Sequence, residues 1–436
     1  MAKTLLFIQG IYDTIDLFNE AFAAAFRQLG CTCHMIDIRK EQEAMSRLRE
    51  LVADERLDGV ITFNNIGYNL SFTEGQNIWE ERNIPYFNIL MDHPFHYANP
   101  LKHAPKTSVV FCTDRNHTSF LRRFYPHLKQ VDFMPHAGME ADITEYAQAG
   151  RCHLCTPSGI SNNGCSDISQ EASYVSQGSD WNAYHPAMEE RSVDVLYAGG
   201  LSKYVAEGLV PDLGEITEFD AFDLTQQVLS ELINHPEKTM EQAVEEYLLS
   251  IGKQYTDEAL NHWITELRFI DSYATSFYRE QAVRLLVENG IKVAVFGGGW
   301  DRCEWADNPN LMYGGKVPAP QVLELMNHSR IVLNTMTWYK NGIHDRIING
   351  MLAKSVVVTD RSVYLEETAL KEQAECLIAF SLPQIQRLPE QVQNLLDHPD
   401  RMEQIAENGY RYAKSHHTWW QRADYIYRTY LNEKNK

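Results

Sequence analysis

Short apolar runs that end on a glycine or a polar residue, separated by amphipathic stretches of helical spacing, recur along most of this chain. That alternation constrains the fold more than any other feature. A strand buried on both faces reads as a continuous apolar run, and the helix covering it as an apolar stripe of period 3.6, so the pattern predicts parallel sheets wrapped by helices. Leu5 to Gln9 is the first run; Gly10 breaks it, and Ile15, Phe18, Phe22, Ala25, Phe26 and Leu29 follow at helical spacing up to Gly30. Further strands are predicted at His34 to Ile38, Val60 to Phe63, Tyr86 to Met91, Val109 to Cys112 and Val131 to Met134. Helices are predicted over Glu41 to Ala53 and His117 to Phe124.

The rhythm pauses from about Gly150 to Glu190, where Ser, Gly, Asn and Cys dominate without periodicity, as in an irregular loop or linker. It resumes with strands at Val193 to Ala198, Ile291 to Phe296, Ile331 to Asn334 and Val356 to Thr359, and helices over Ala319 to Asn327 and Asp345 to Ala353. Between Phe222 and Asn289 lies a mostly helical stretch too long for an ordinary crossover, read here as an insertion in the second domain. A length of 436 residues exceeds what one hydrophobic core usually spans. Two Rossmann-like α/β domains are therefore expected, 1–190 and 191–436.

The formal charge of −20 argues against a nucleic acid or an anionic membrane as partner, because either would repel the chain as a whole. No apolar run reaches the roughly 18 to 20 residues of a membrane span, and the first ten residues enter a strand without a cleavage site, so a cytoplasmic protein is expected. Most of its eight cysteines should then be reduced. Cys152 and Cys155 form a C-x2-C pair with His153 and Cys165 nearby, a pattern that suits a small zinc site. No second pair follows, and no resident metal or cofactor is expected.

In doubly wound sheets ligands sit beyond the carboxyl ends of the strands, so the residues just after each run carry the chemistry. In the second half these are glycines. Gly199 and Gly200 end one strand and Gly297, Gly298 and Gly299 end another, and absent side chains let a phosphate approach backbone N–H groups. Lys203 follows the first pair closely. One glycine would make the second turn, so three suggest close approach of a ligand. Asp345 stands where a helix cap is expected, but Arg346 sits in the first turn, where a cation is disfavoured unless an anion is bound.

The strings VDVLYAGG, VAVFGGGW, MYGGKVPAPQVLELMNHSRIVLNT, HDRIINGMLAKSVVVTD and HTWWQRADYIYRTYL, in that order, resemble the carboxyl-terminal domain of GT-B glycosyltransferases, in particular the CgeB-like group. The first half resembles them in its rhythm and in NIPYFNILMDHP and FMPHAG. The resemblance implies two domains facing across a cleft and transfer of a sugar from a nucleotide-sugar, UDP-linked as a first guess, to an unidentified acceptor. It places the nucleotide at Gly199, Gly200, Lys203, Gly297, Gly298, Gly299 and Trp300. It adds Gly314, Lys316 and Val317, which would hold the base, and His344, Asp345, Arg346 and Asn349. Many relatives carry paired glutamates where this chain has Asn341 and Asn349, so their stereochemical outcome does not carry over, and a non-catalytic sugar or nucleotide sensor, or a scaffold, is the competing reading. Sugar transfer needs a base for the acceptor, and the strand-end residues Asp92 and His93, with His136, are the candidates. The last helix, about 418–433, is expected to return to the first domain.

Overall fold

The computed structural model describes residues 2–54, 57–73, 75–140, 185–203, 207–336 and 338–432. Its first sheet is made of β1 (Thr4–Gln9), β2 (Thr32–Asp37), β3 (Gly59–Phe63), β4 (Tyr86–Leu90), β5 (Ser108–Cys112) and β6 (Gln130–Phe133). Their order is β2-β1-β3-β4-β5-β6, and each recorded pairing is parallel. β3, β4 and β5 are buried along their whole length, in keeping with their mostly apolar composition, and Thr62, Asn88 and Ser108 are buried with them. Helices α1 (Asp13–Gln28), α2 (Glu41–Asp54) and α3 (Arg115–Phe124) flank this sheet.

A second parallel sheet contains β7 (Val193–Ala198), β8 (Val293–Phe296), β9 (Leu311–Tyr313), β10 (Ser329–Leu333), β11 (Val356–Asp360) and β12 (Ile378–Phe380), in the order β12-β11-β10-β7-β8-β9. Two α/β domains are thus present, as the alternation implies. β9 and β12 are three-residue edge strands, too short to stand out as apolar runs. Each sheet reverses direction once, between β1 and β3 in the first and between β7 and β10 in the second. Those reversals are where open α/β sheets leave a crevice for ligands.

The helical stretch between β7 and β8 corrects the sequence reading. It comprises α4 (Ala221–Asn234), α5 (Met240–Ser250), α6 (Asp257–Glu266) and α7 (Phe269–Glu288). Only α7 is the crossover helix: its Ala282, Val283, Leu286 and Val287 pack with Val195, Val293 and Val295 of the second sheet. Leu224, Val228, Val244, Leu248, Leu260 and Ile264 of α4, α5 and α6 instead share a core with Leu90, Phe95, Val110, Cys112 and Leu121 of the first domain. By packing, the insertion belongs to the first domain, whose outer helical layer it supplies.

Helices α8 (Ala319–Asn327), α9 (Asp345–Leu352), α10 (Leu388–Leu396), α11 (Pro399–His416) and α12 (Trp419–Ile426) complete the chain. α12 lies in the first domain's core, where the ring of Trp419 is 4.9 Å from Phe22, 5.3 Å from Phe18 and 5.7 Å from Phe63. Arg422 on the same helix donates to the carbonyls of Pro135 at 2.6 Å and His136 at 2.7 Å.

Cys152, His153, Cys155 and Cys165 fall outside the described residues. Among the described residues no group of three or more His, Cys, Asp or Glu side chains is placed to hold a metal, and no helix is long and apolar enough to cross a membrane.

Candidate functional site

The two sheet reversals face each other, and between them lies a cleft of about 460 Å³. From the first domain come Asp13, Thr14, Leu17 and Phe18 of α1, with Met139. From the second come Gly199, Gly297, Gly298, Lys316 and the start of α9. One end is apolar, walled by Phe296, Val317, Val322, Leu323 and Met326; the other is polar, with His344, Asp345, Arg346 and Asn349.

The glycine turns have a packing role that the sequence reading did not foresee. A Cβ on Gly297 would lie 2.5 Å from the Gly200 nitrogen, one on Gly200 would lie 2.9 Å from the Gly298 carbonyl oxygen, and one on Gly314 would lie 2.0 Å from the Phe296 ring. Gly297 has φ of 129° and Gly299 of 97°, the region that favours glycine. The turns after β7 and β8 are thus pressed together backbone to backbone, and packing accounts for Gly200 and Gly297, whereas a Cβ on Gly199 or Gly298 would meet the side chain of Arg346 or Lys316. The Gly199 N–H donates to Phe296 O at 2.7 Å and the Leu201 N–H to Gly298 O at 2.9 Å, so neither is directed at a ligand. Trp300, fully buried, donates from its indole to Gly199 O at 2.8 Å; it buttresses the turn and does not reach the cleft. Lys203 pairs with Glu280 at 2.5 Å and is not part of the cleft wall.

Positive charge comes from side chains instead. Arg346, 8% exposed, donates to Asn334 Oδ1 at 2.6 Å, sits 5.2 Å from the centre of the Tyr197 ring and closes on Gly199. Arg279, also 8% exposed, reaches in from α7 to donate to Gly200 O at 2.6 Å. Among the described residues neither guanidinium has a carboxylate within ion-pair distance. Burial, with Arg279 adding to it, pushes the Arg346 guanidinium below its usual range. Lys316, exposed at the cleft wall, adds a third cation. Two buried like charges with no carboxylate at ion-pair distance favour an anion beside them.

At the start of α9, burial works to raise the Asp345 carboxyl, but His344 at 2.7 Å, with His136 and Arg346 behind it, holds it well below the ordinary carboxylate range. Asn349 does not present a free amide: its Oδ1 accepts from the Met139 N–H at 2.9 Å and its Nδ2 donates to Asp345 at 3.3 Å. Asn341 also lies elsewhere, bonded through its backbone to Asp114 and Arg115 of the first domain.

None of the three residues expected to supply the base lines this cleft. His93, 4% exposed, stacks on Phe95 at 3.8 Å, accepts the Phe95 N–H through Nδ1 and points Nε2 at Glu241 of α5. The inserted helices cover the strand end where it was read as open. His136, 3% exposed, has its Nε2 3.2 Å from the Tyr339 hydroxyl, and burial pushes its imidazole down to about 3. Asp92 is half-buried and accepts from the Tyr97 hydroxyl at 2.7 Å.

Asp13 and Thr14 line the cleft and were missed by the sequence reading, as were Arg279 and Asn334, which lie behind its wall and bond Gly200 O and the Arg346 guanidinium. Asn334 follows β10 directly, so the strand-end rule that singled out Asp92 points to it as well. Arg279 has no such signal, since α7 is buried on most of its circumference and reads as undifferentiated helix.

Residues 278–428 match the family model for glycosyl transferase-like domains. No curated protein matches the chain. Among solved structures it is similar to sucrose-phosphate synthase from Thermosynechococcus elongatus, at 11% identity over 98% of each chain with a TM-score of 0.50. It is also similar to phage T4 BGT in complex with UDP and Mn2+, at 11% identity, 98% of this chain, 99% of that chain and a TM-score of 0.48. Anabaena HepE in complex with UDP-glucose matches at 10% identity over 98% of each chain, with a TM-score of 0.46. Residues 278–428 thus carry a glycosyl transferase-like domain, and the two parallel sheets set about one cleft have the GT-B fold.

Proposed function

We propose that the cleft binds a nucleoside-diphosphate sugar, with UDP the first nucleotide to test, and that the protein transfers the sugar to a hydroxyl or amide acceptor as a cytoplasmic enzyme of the CgeB-like group. The observation that carries this reading is the pair Arg346 and Arg279, buried at a sheet reversal with, among the described residues, no carboxylate within ion-pair distance of either. A diphosphate supplies the missing charge. The nucleobase then occupies the apolar end between Phe296, Val317, Leu323 and Met326.

Charge on the departing diphosphate grows as the glycosidic bond breaks, so contacts to the guanidiniums strengthen towards the transition state. That makes Arg346 and Arg279 groups for turnover as well as for binding. Lys316, on the exposed rim, steers the donor in.

A melting-temperature panel of UDP, GDP, ADP, CMP and dTDP tests the donor site. Ligand that binds only the folded state stabilises it by about 2.7 kcal/mol at a hundredfold excess over Kd. One nucleoside diphosphate should raise the melting temperature, and its sugar conjugate should be turned over with release of the free nucleotide. No shift with any of the five refutes the donor site.

A further inference from the structure

We infer that His344 is the general base of the transfer, held in the required tautomer by Asp345, an inference that rests on the donor site proposed above. His344 caps α9 from the cleft wall, its side chain 19% exposed, two residues before Arg346. Its Nδ1 lies 2.7 Å from Asp345 Oδ1 and 3.1 Å from the Arg346 N–H. One nitrogen cannot serve both. A lone pair that accepts from Arg346 would face a carboxylate oxygen at 2.7 Å, whereas a proton on Nδ1 makes that contact a charge-assisted hydrogen bond. Asp345 stays ionised, so the proton belongs on Nδ1.

That tautomer puts the lone pair on Nε2, for which no protein partner is recorded among the described residues. It also leaves the Arg346 N–H, at the start of a helix, to the donor's phosphates.

Every element packed around the imidazole bears on its protonation. Asp345 favours the charged form. Arg346 from α9 and Arg279 from α7 oppose it, as does burial, which is the largest influence. The imidazole of His136, after β6, stacks at 6.1 Å, and the Tyr339 ring, after β10, lies at 5.4 Å. The balance holds His344 below its usual range and therefore neutral near pH 7, the form that accepts a proton.

In the step itself the acceptor hydroxyl oxygen bonds to the anomeric carbon, and the bond from that carbon to the diphosphate oxygen breaks. The bonding pair leaves with the diphosphate, against Arg346 and Arg279. The hydroxyl proton passes to Nε2 of His344, and Asp345 stabilises the imidazolium until it releases the proton to water.

His344→Asn is the variant of choice, because asparagine is well tolerated at the N-cap position of α9 but takes no proton. UDP should raise its melting temperature as it does that of the wild type, while release of UDP from UDP-glucose, with water as acceptor, should fall 10²- to 10⁴-fold. The acid limb of the wild-type pH profile of kcat/KM should vanish in His344→Asn. In Asp345→Asn, which retains the imidazole without its carboxylate, that limb should move to lower pH. Imidazole added to His344→Ala should restore part of the rate. Unchanged UDP release, or an unchanged acid limb, in a His344→Asn protein that UDP still stabilises overturns the base alone. A wild type that UDP does not stabilise overturns the donor site and the base with it.

Discussion

Arg346→Ala separates the energetics of the free protein from those of the donor complex. Without ligand, the substitution leaves Asn334 Oδ1, now 2.6 Å from the guanidinium, unpaired in a buried site, a cost of about 1–3 kcal/mol. It also removes a buried cation that has no carboxylate partner and that faces Arg279, which offsets much of that cost. The ligand-free stability should therefore move by no more than about 2 kcal/mol in either direction. Binding and turnover should respond far more. Loss of one preorganised contact to a developing anion costs a factor of about 10²–10³ in turnover. If Kd for the nucleotide rises a hundredfold, a ligand concentration that gave about 2.7 kcal/mol of stabilisation now gives RT ln 2, about 0.4 kcal/mol. Chemical denaturation with and without nucleotide measures both quantities on the same samples, and Arg346→Lys should recover only part of each loss because lysine lacks the bidentate fork. An Arg346→Ala protein with the full ligand-induced stabilisation and wild-type turnover refutes the reasoning.

Trp419→Ala empties a site among Phe18, Phe22 and Phe63 and should cost about 3–5 kcal/mol in the denaturation of the first domain; a loss below about 1 kcal/mol contradicts the placement of α12 in that core. Gly297→Ala forces a Cβ to within 2.5 Å of the Gly200 nitrogen at a φ of 129°, so turnover and melting temperature should both fall, whereas Gly208→Ala, with nothing within 4 Å, should match the wild type. Burial pushes the imidazoles of His117 and His136 down to about 3. Below pH ~6.5 the unfolded chain therefore binds protons that the folded chain refuses. Stability from these groups is present above that pH and is lost as the pH falls towards 3. Urea midpoints from pH 7 to pH 4 should drop, and His117→Phe should flatten the slope.

The parallel sheets were legible because β3, β4, β5, β8, β10 and β11 are mostly apolar, which leaves a chain of this length few other arrangements. The cleft's second-domain wall was legible for a related reason: residues beyond the carboxyl ends of parallel strands line the crevice, and Gly199 after β7, Lys316 and Val317 after β9, and Arg346 at the start of α9 are such residues. Long-range pairing was hidden. Nothing local distinguishes Arg279 from a solvated helical arginine, and only the packing of α7 against the β7 turn carries it to Gly200. His93 failed for the opposite reason: the strand-end rule applies to an open edge, and α5, more than a hundred residues later in the chain, brings Glu241 over it. Asn349 reads as a free amide because its partner, the Met139 N–H, comes from the other domain.

The same segment that carries the chemistry also fixes the angle between the domains. Between β10 and α9 the chain passes through Asn334, Tyr339, Asn341 and Gly342 before reaching His344. The Asn341 N–H donates to Asp114 Oδ2 at 2.7 Å, and the Arg115 N–H donates to Asn341 O at 3.1 Å. The Tyr339 hydroxyl donates to Met91 O, and Gly342 pairs with Asp114 as an antiparallel bridge. A Cβ on Gly342 would lie 2.4 Å from Thr113 O, so this contact is backbone against backbone and leaves no room for adjustment by a flexible side chain. His344 follows two residues later and Arg346 four. A rotation of the first domain that moved β5 and its following turn would therefore displace the start of α9, and with it the carboxylate, imidazole and guanidinium aimed into the cleft. α12, near the end of the glycosyl transferase-like region, anchors in the first domain's core, and α4, α5 and α6, which precede that region, pack on the same domain. Domain orientation and the geometry of the anion site are in this way coupled through the contacts of Tyr339, Asn341 and Gly342 with the first domain.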